Sequence, residues 1–210
     1  MLFLIQQGQY EVVILLIIAL ILSLSFHEFG HAIVAKWQGD NTAERAGRLT
    51  INPIAHVDPM GLLMVVLIGI GYAKPVPTDP RNFTSRYSDL WISAAGPFMN
   101  LLVAVVTWNV YQLLSGQGWQ SPGADLFFTY LAQINLLLMI FNLIPLGPLD
   151  GHYILPYFLP RHLAQRYMVF NARYGTMVFI ALIVFSFMGL PLFQWLAQLS
   201  VTMLEIITLV

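Results

Sequence analysis

The 210-residue chain contains no cysteine, which excludes disulfides, thiolate nucleophiles and cysteine-ligated zinc or iron–sulfur centres. Any metal must therefore rest on His, Asp or Glu. Charge is scarce too: 9% of the residues are Asp, Glu, Lys or Arg, against about 25% in an average soluble domain. Nine Lys and Arg stand against ten Asp and Glu, a formal net charge of −1. Such a chain has no basic surface with which to neutralise phosphates, and no nucleic-acid partner is expected. Internal repeats, low-complexity tracts and Pro-rich linkers are missing as well, which weighs against the repeat-built transporters. What remains is apolar, with 58% hydrophobic and 13% aromatic residues. That is the composition of an integral membrane protein, read as a single domain over residues 1–210 whose first partner is the lipid bilayer.

Runs of about 20 apolar residues mark candidate spans. The first runs from Val12 through HEFGHAIVA to Lys36; the second covers residues 90 to 114, the third 126 to 145 and the fourth 175 to 189. The first is too long for a signal peptide and has no basic n-region, so it is kept in the mature protein. A last apolar stretch, Leu192 to Val210, follows Pro191 and reads equally as a short span or an interfacial helix. All nine basic residues fall into three clusters, around Lys36–Arg48, Lys74–Arg86 and Arg161–Arg173, and the positive-inside rule puts all three in the cytoplasm. The N-terminus and the loop 115–123 then face outward. The stretch MGLLMVVLIGIGY, residues 60 to 72, is flanked by basic clusters on both sides and cannot be an ordinary span. It is read as a re-entrant element, with Gly69, Gly71 and its β-branched residues predicting extended backbone. The expected fold is an all-α polytopic membrane protein of four to six transmembrane helices, its core in residues 10–160 and its C-terminal helices in 172–210, with a small membrane-associated β element between the first two core helices.

His27-Glu28-Phe29-Gly30-His31 lies inside the first span. On a helix, two histidines four residues apart share a face and can reach one zinc ion, with Glu28 beside them as general base toward a zinc-activated water. Each charged residue near a helix centre in a bilayer costs at least about 2.5–3.5 kcal/mol, so leucine would serve packing better than this trio. A catalytic zinc normally takes three protein ligands. His56, His152 and His162 are available for the third, and so is Asp150. Fifteen residues from Val12 to Phe26 make about 22 Å of helix at 1.5 Å per residue, which sets His27 in the cytoplasmic part of the bilayer. The third span ends on the same side just before Asp150, where Pro145, Gly147, Pro148 and Gly151 must unwind the chain.

HEFGH within a span, followed by Asn142, Pro145, Asp150 and Gly151 in the pattern NxxPxxxxDG at the end of a later span, resembles the site-2 protease family of intramembrane zinc metalloproteases. The resemblance extends through AGRLTINPIAHVDPMG (46–61), GYAKPVPTDPRNF (71–83) and AGPFMN (95–100), so it spans roughly residues 20 to 160. It implies one zinc per chain, bound by His27, His31 and Asp150, with Glu28 as the base. It further implies that Asn142 sits by the scissile peptide. Asn100, in AGPFMN, reads as a substrate-side or active-site-loop contact or, equally, as a bond between helices. A β element after the first core helix is also implied. The outer loop of about nine residues leaves no room for a PDZ insertion, so the chain resembles a compact member, without an appended nucleotide-sensing domain.

The function expected is hydrolysis of peptide bonds within or near transmembrane segments of other membrane proteins, in a prokaryotic inner membrane, with the active site toward the cytoplasm and the N-terminus outside. The rival is a non-enzymatic divalent-metal transporter or metal-binding membrane protein using the same His/Asp set. A haem protein is weaker, since no histidine lies in another clear span. Substrate identity, pathway and oligomeric state have no signature in the sequence.

Overall fold

A computed structural model describes residues 1–69, 71–119 and 121–209. The helices are, in chain order, α1 (Leu2–Gln6), α2 (Tyr10–Trp37), α3 (Thr42–Arg45), α4 (Pro53–His56), α5 (Pro59–Ile68), α6 (Ser88–Gly116), α7 (Pro122–Asn142), α8 (Gly151–Ile154), α9 (Arg161–Phe170), α10 (Thr176–Phe187) and α11 (Leu192–Ile207). The π-helical turn Asn171–Gly175 joins α9 to α10 without a break, so that Arg161–Phe187 is one apolar helix of 27 residues. Together with α2, α6 and α7 it makes four helices long and apolar enough to cross a membrane.

Helices α2, α6 and α7 pack on one another, and α11 packs on α7. Small residues set the spacing: Ala19, Ala104 and Ala132 are fully buried, and a Cβ added at Gly30 of α2 would meet the Ala95 carbonyl of α6 at 2.8 Å. Small side chains are the usual means of bringing helix backbones together where the surroundings are as apolar as leucine. The polarity is inverted relative to a soluble bundle. Ser23, Ser25, His27, Glu28, Asn100 and Asn135 are buried, whereas Ile14, Ile18, Val106, Val110, Ile180 and Phe185 are exposed.

The expected β element is corrected: residues 59–68 are helical, and no strand occurs among the described residues. The reason is local capping chemistry. The Asp58 carboxylate accepts from the backbone N–H groups of Met60 (2.9 Å) and Gly61 (3.0 Å), Pro59 occupies the first helical position, and Gly69 closes the helix at φ 82°. These N-cap, N1 and C′ residues outweigh the β-branched content. Ten residues give about 15 Å of helix, half of a bilayer core of about 30 Å. The chain then doubles back, for a Cβ at Gly71 would meet the Gly61 carbonyl at 2.1 Å. Ile70 itself lies outside the described residues.

Two further boundaries move. The fourth long helix starts at Arg161, fourteen residues before the expected 175, because its first turns carry the basic cluster that reads as loop. The last stretch, Leu192–Ile207, joins the bundle: Leu204 and Ile207 are buried with Ala104, Ala132 and Leu136. The Trp108 indole N–H donates to Thr208 Oγ1 (2.8 Å), and Asn109 Nδ2 to the Ile207 carbonyl (2.8 Å).

Candidate metal centre

His27 and His31 project from one face of α2, as the i, i+4 spacing dictates. Asp150 reaches them from the turn after α7. That turn is forced by composition: prolines at 145 and 148 cannot continue a helix, and Gly147 sits at φ 61°, the left-handed region that glycine enters at no steric cost. Gly151 is needed for a different reason. A Cβ there would lie 2.3 Å from the Leu143 carbonyl, so only glycine lets the turn fold against the end of α7.

Among the described residues, His27, His31 and Asp150 form the one group able to hold a metal ion. The two Nε2 atoms are 3.0 Å apart, His27 Nε2 is 3.3 Å from Asp150 Oδ2, and His31 Nε2 is 3.4 Å from Asp150 Oδ1. Two atoms each ~2.0–2.1 Å from one zinc at tetrahedral angles are about 3.3 Å apart, so the set fits zinc. The proton positions agree. His31 Nδ1 faces the Ile92 carbonyl at 2.7 Å, an atom that only accepts, so Nδ1 carries the hydrogen and Nε2 a bare lone pair. His27 Nδ1 lies 2.6 Å from Asn100 Oδ1, which leaves its Nε2 bare in the same way. Two lone pairs and a carboxylate pointed at one spot repel unless a cation lies between them. Asp150 Oδ2 is moreover buried without a hydrogen-bond partner, and such an atom is costly unless an ion satisfies it.

Glu28, next to His27, is 8% exposed; no hydrogen bond or ion pair involving its carboxylate occurs among the described residues. Arg48 and His56 lie close enough to interact with it electrostatically. Those two form a buried unit. Arg48 Nη1 donates to the Pro75 carbonyl (3.0 Å) and Nη2 to the Lys74 carbonyl and toward His56 Nδ1 (3.3 Å), while His56 Nε2 donates to the Thr50 carbonyl (2.6 Å). Burial, opposed by the Thr50 bond and reinforced by the Arg48 charge, holds His56 below the usual histidine range. With both ring nitrogens committed, His56 is no ligand. His152 faces the Tyr167 hydroxyl (3.4 Å) and His162 is exposed.

Asn142, expected beside the scissile peptide, is the last residue of α7 and donates from Nδ2 to the Leu138 carbonyl (2.9 Å). Asn100, read equally as a contact to substrate or the active-site loop and as a bond between helices, makes the bond between helices. It is fully buried, its oxygen faces His27, and its Nδ2 donates to Asn135 Oδ1 (2.8 Å) and the Ser23 carbonyl (3.2 Å). No N–H is left over for a substrate. Gly96, one turn before Asn100, was not singled out in the sequence, yet a Cβ on it would lie 2.3 Å from His31 Nε2. Its only signal is the AGP step, a glycine beside Pro97 within a span.

The Asp150 turn is held from the fourth long helix. Asn171 Oδ1 accepts from the Gly147 N–H (3.1 Å) and its Nδ2 donates to the Gly147 carbonyl (3.4 Å), while the Tyr167 hydroxyl donates to the Pro145 carbonyl (2.9 Å). Removing a group hydrogen-bonded to a ligand typically costs 10–100-fold in metal affinity, and a support one step farther out, on the ligand's turn, is set at the low end of that range. Asn171→Ala is expected to weaken zinc binding about 10-fold at unchanged helix content, measured by competition with a chromophoric chelator; parental affinity would show that the turn holds itself.

Residues 15–122 and 113–186 match Peptidase family M50. The chain belongs to this family of site-2 proteases. It is 40% identical to YwhC of Bacillus subtilis over 175 residues, 80% of each chain, and 32% identical to Rip2 of Mycolicibacterium smegmatis over 183 residues, 82% of this chain and 68% of that protein; both bear provisional zinc-metalloprotease names. A zinc metalloprotease of Methanocaldococcus jannaschii, MJ0392, is 29% identical over 140 residues, 67% of this chain and 33% of its own length. No solved structure matches. This M50 chain is thus a zinc metalloprotease with long apolar helices compatible with membrane insertion, and its His-His-Asp group matches the cofactor.

Proposed function

We propose that this M50 peptidase hydrolyses peptide bonds within or near transmembrane segments of other membrane proteins, with Glu28 as general base. The observation that carries the reading is Glu28 itself, a buried carboxylate with no hydrogen bond or ion pair among the described residues, one residue from a ligand histidine and inside a helix long enough to span. An ionisable group inside a membrane span is costly and marks a functional position by default. Zinc, when bound, acidifies water and polarises a carbonyl. His27, His31 and Asp150 hold the ion, and Glu28 takes the proton of the attacking water and passes it to the departing amine. Asn142, at the edge of the Asp150 turn, is assigned to the substrate backbone. A substrate helix shields its carbonyls in its own hydrogen bonds and must unwind locally before attack. The orientation that goes with this reading has the N-terminus outside and the site opening toward the cytoplasm of a prokaryotic cell.

The test uses the full chain in detergent and in proteoliposomes, with elemental analysis of zinc and cleavage of a panel of tagged single-span membrane proteins. The parent is expected to hold near one zinc per chain and Asp150→Ala little. Unchanged zinc in Asp150→Ala would remove the third ligand and the reading with it. Divalent-metal flux into proteoliposomes without cleavage of any panel member would favour a transporter.

A further inference from the structure

His31 and His27 reach the same tautomer by different means. The acceptor of His31 is a backbone carbonyl, which has one possible sense. The acceptor of His27 is the side-chain amide of Asn100, which presents a donor instead of an acceptor if it turns over. Turned over, it would force the proton onto His27 Nε2, the atom that faces Asp150 Oδ2 at 3.3 Å, and a protonated nitrogen is no ligand.

We propose that Ser23 and Asn135 are positioning residues that lock Asn100, and through it His27, in the metal-binding sense. The direction of the network is set at its far end by two backbone carbonyls. The Ser23 hydroxyl donates to the Ala19 carbonyl (2.7 Å), so its oxygen is left to accept. Asn135 Nδ2 supplies that bond (2.8 Å) and a second one to the Leu131 carbonyl (2.8 Å). With both N–H groups spent on acceptors, Asn135 must turn Oδ1 toward Asn100, whose Nδ2 donates to it (2.8 Å) and to the Ser23 carbonyl (3.2 Å). Asn100 therefore presents Oδ1 to His27 Nδ1 (2.6 Å). Every step has one sense, from Ala19 and Leu131 to the ring. Ser23, Asn100 and Asn135 are fully buried and come from α2, α6 and α7, so a reversed Asn100 amide would set its oxygen against Asn135 Oδ1 and the Ser23 carbonyl, acceptor against acceptor, at a position where burial makes the mismatch costly. Neither Ser23 nor Asn135 touches the metal-binding atoms.

The inference rests on His27 being a zinc ligand, and the experiment separates the two. The full-length protein in detergent is stripped of metal, and its zinc affinity is measured by chelator competition beside its thermal midpoint. Asn135→Leu, close in size, frees Asn100 to turn and is expected to weaken zinc roughly 10–100-fold. Asn135→Asp in its neutral form still accepts from Asn100 and donates to Ser23 or Leu131, and is expected to recover parental affinity. Leu136→Ala, at the neighbouring fully buried core position, lowers the thermal midpoint and leaves the affinity alone. Should Asn135→Leu not accumulate, Ser23→Ala removes one acceptor and is expected to weaken zinc about fivefold, the order of one hydrogen bond. Affinity in Asn135→Leu or Ser23→Ala that falls no further than in Leu136→Ala overturns the lock. So does an Asn135→Asp as weak as Asn135→Leu. Zinc retained in Asp150→Ala is a different failure, that of the metal site, and identifies itself by leaving all variants equal.

Discussion

Glu28→Gln is expected to keep its zinc and lose its peptidase activity by roughly 10²–10⁴-fold, the range over which a positioned proton-transfer group contributes. The substitution is nearly isosteric at a residue that is 8% exposed and makes no hydrogen bond among the described residues, so neither packing nor the ligand geometry of His27, His31 and Asp150 has reason to change. Only the capacity to take a proton is removed. The surroundings sharpen the contrast, since the Arg48 guanidinium carries positive charge near this position and a neutral amide gives up that attraction. A loss of zinc in step with activity would mean that Glu28 serves the site structurally. Full cleavage with zinc bound would mean that another group takes the proton, and the assignment of the base would be wrong. The variant also bears on the transporter alternative, for flux through a His-His-Asp site has no need of Glu28 as a base.

How much of this was legible beforehand depended on the range of the interaction. The histidine pair was readable because helical spacing alone puts residues 27 and 31 on one face, and Asp150 because four Pro and Gly residues within seven positions dictate where a helix must stop. Helix α5 differs from the expected β element although its signals are present in the sequence. Asp58, Pro59 and Gly69 bracket it as a cap, an N1 proline and a C′ glycine, and these ends outweigh the β-branched residues between them. The fourth long helix lost its first fourteen residues to the expectation that a basic cluster lies in a loop, whereas Arg161–Phe170 is helical with its long cationic side chains on exposed faces. Asn100 illustrates a harder limit. Its role depends on His27, Ser23 and Asn135, which are 73, 77 and 35 positions away in sequence, and nothing local to AGPFMN shows which of them it meets. The functions of Ser23 and Asn135 emerge only when three helices are set side by side.

Gly96→Ala is expected to abolish high-affinity zinc binding, with a loss of roughly 100-fold or more, although judged by helix propensity it should stabilise α6. Alanine is favoured over glycine by about 1 kcal/mol in a helix interior, and Gly116→Ala at the end of the same helix, where an added Cβ meets nothing within 4 Å, can serve as the harmless control. At position 96 the added carbon would stand 2.3 Å from His31 Nε2 and 2.6 Å from both His27 Cε1 and His31 Cε1. Overpacking of a filled interior costs typically 1–3 kcal/mol, enough to cancel the propensity gain, and here the crowded atoms are the ligands themselves. The rings have little freedom to yield, because His31 Nδ1 is tied to the Ile92 carbonyl and His27 Nδ1 to Asn100. Nor is there room for α6 to withdraw cheaply, since its Ala95 carbonyl already lies against Gly30 of α2 and moving it away opens the three-helix core. Comparing zinc affinity and thermal midpoint in the two alanine variants tests this directly. Weakened binding in Gly96→Ala alone places the glycine as the surface on which the metal centre is built. Equal affinities in both variants would show that α6 stands farther from the histidines than the close approach at Gly96 requires, and would remove the steric reason for a glycine at that step.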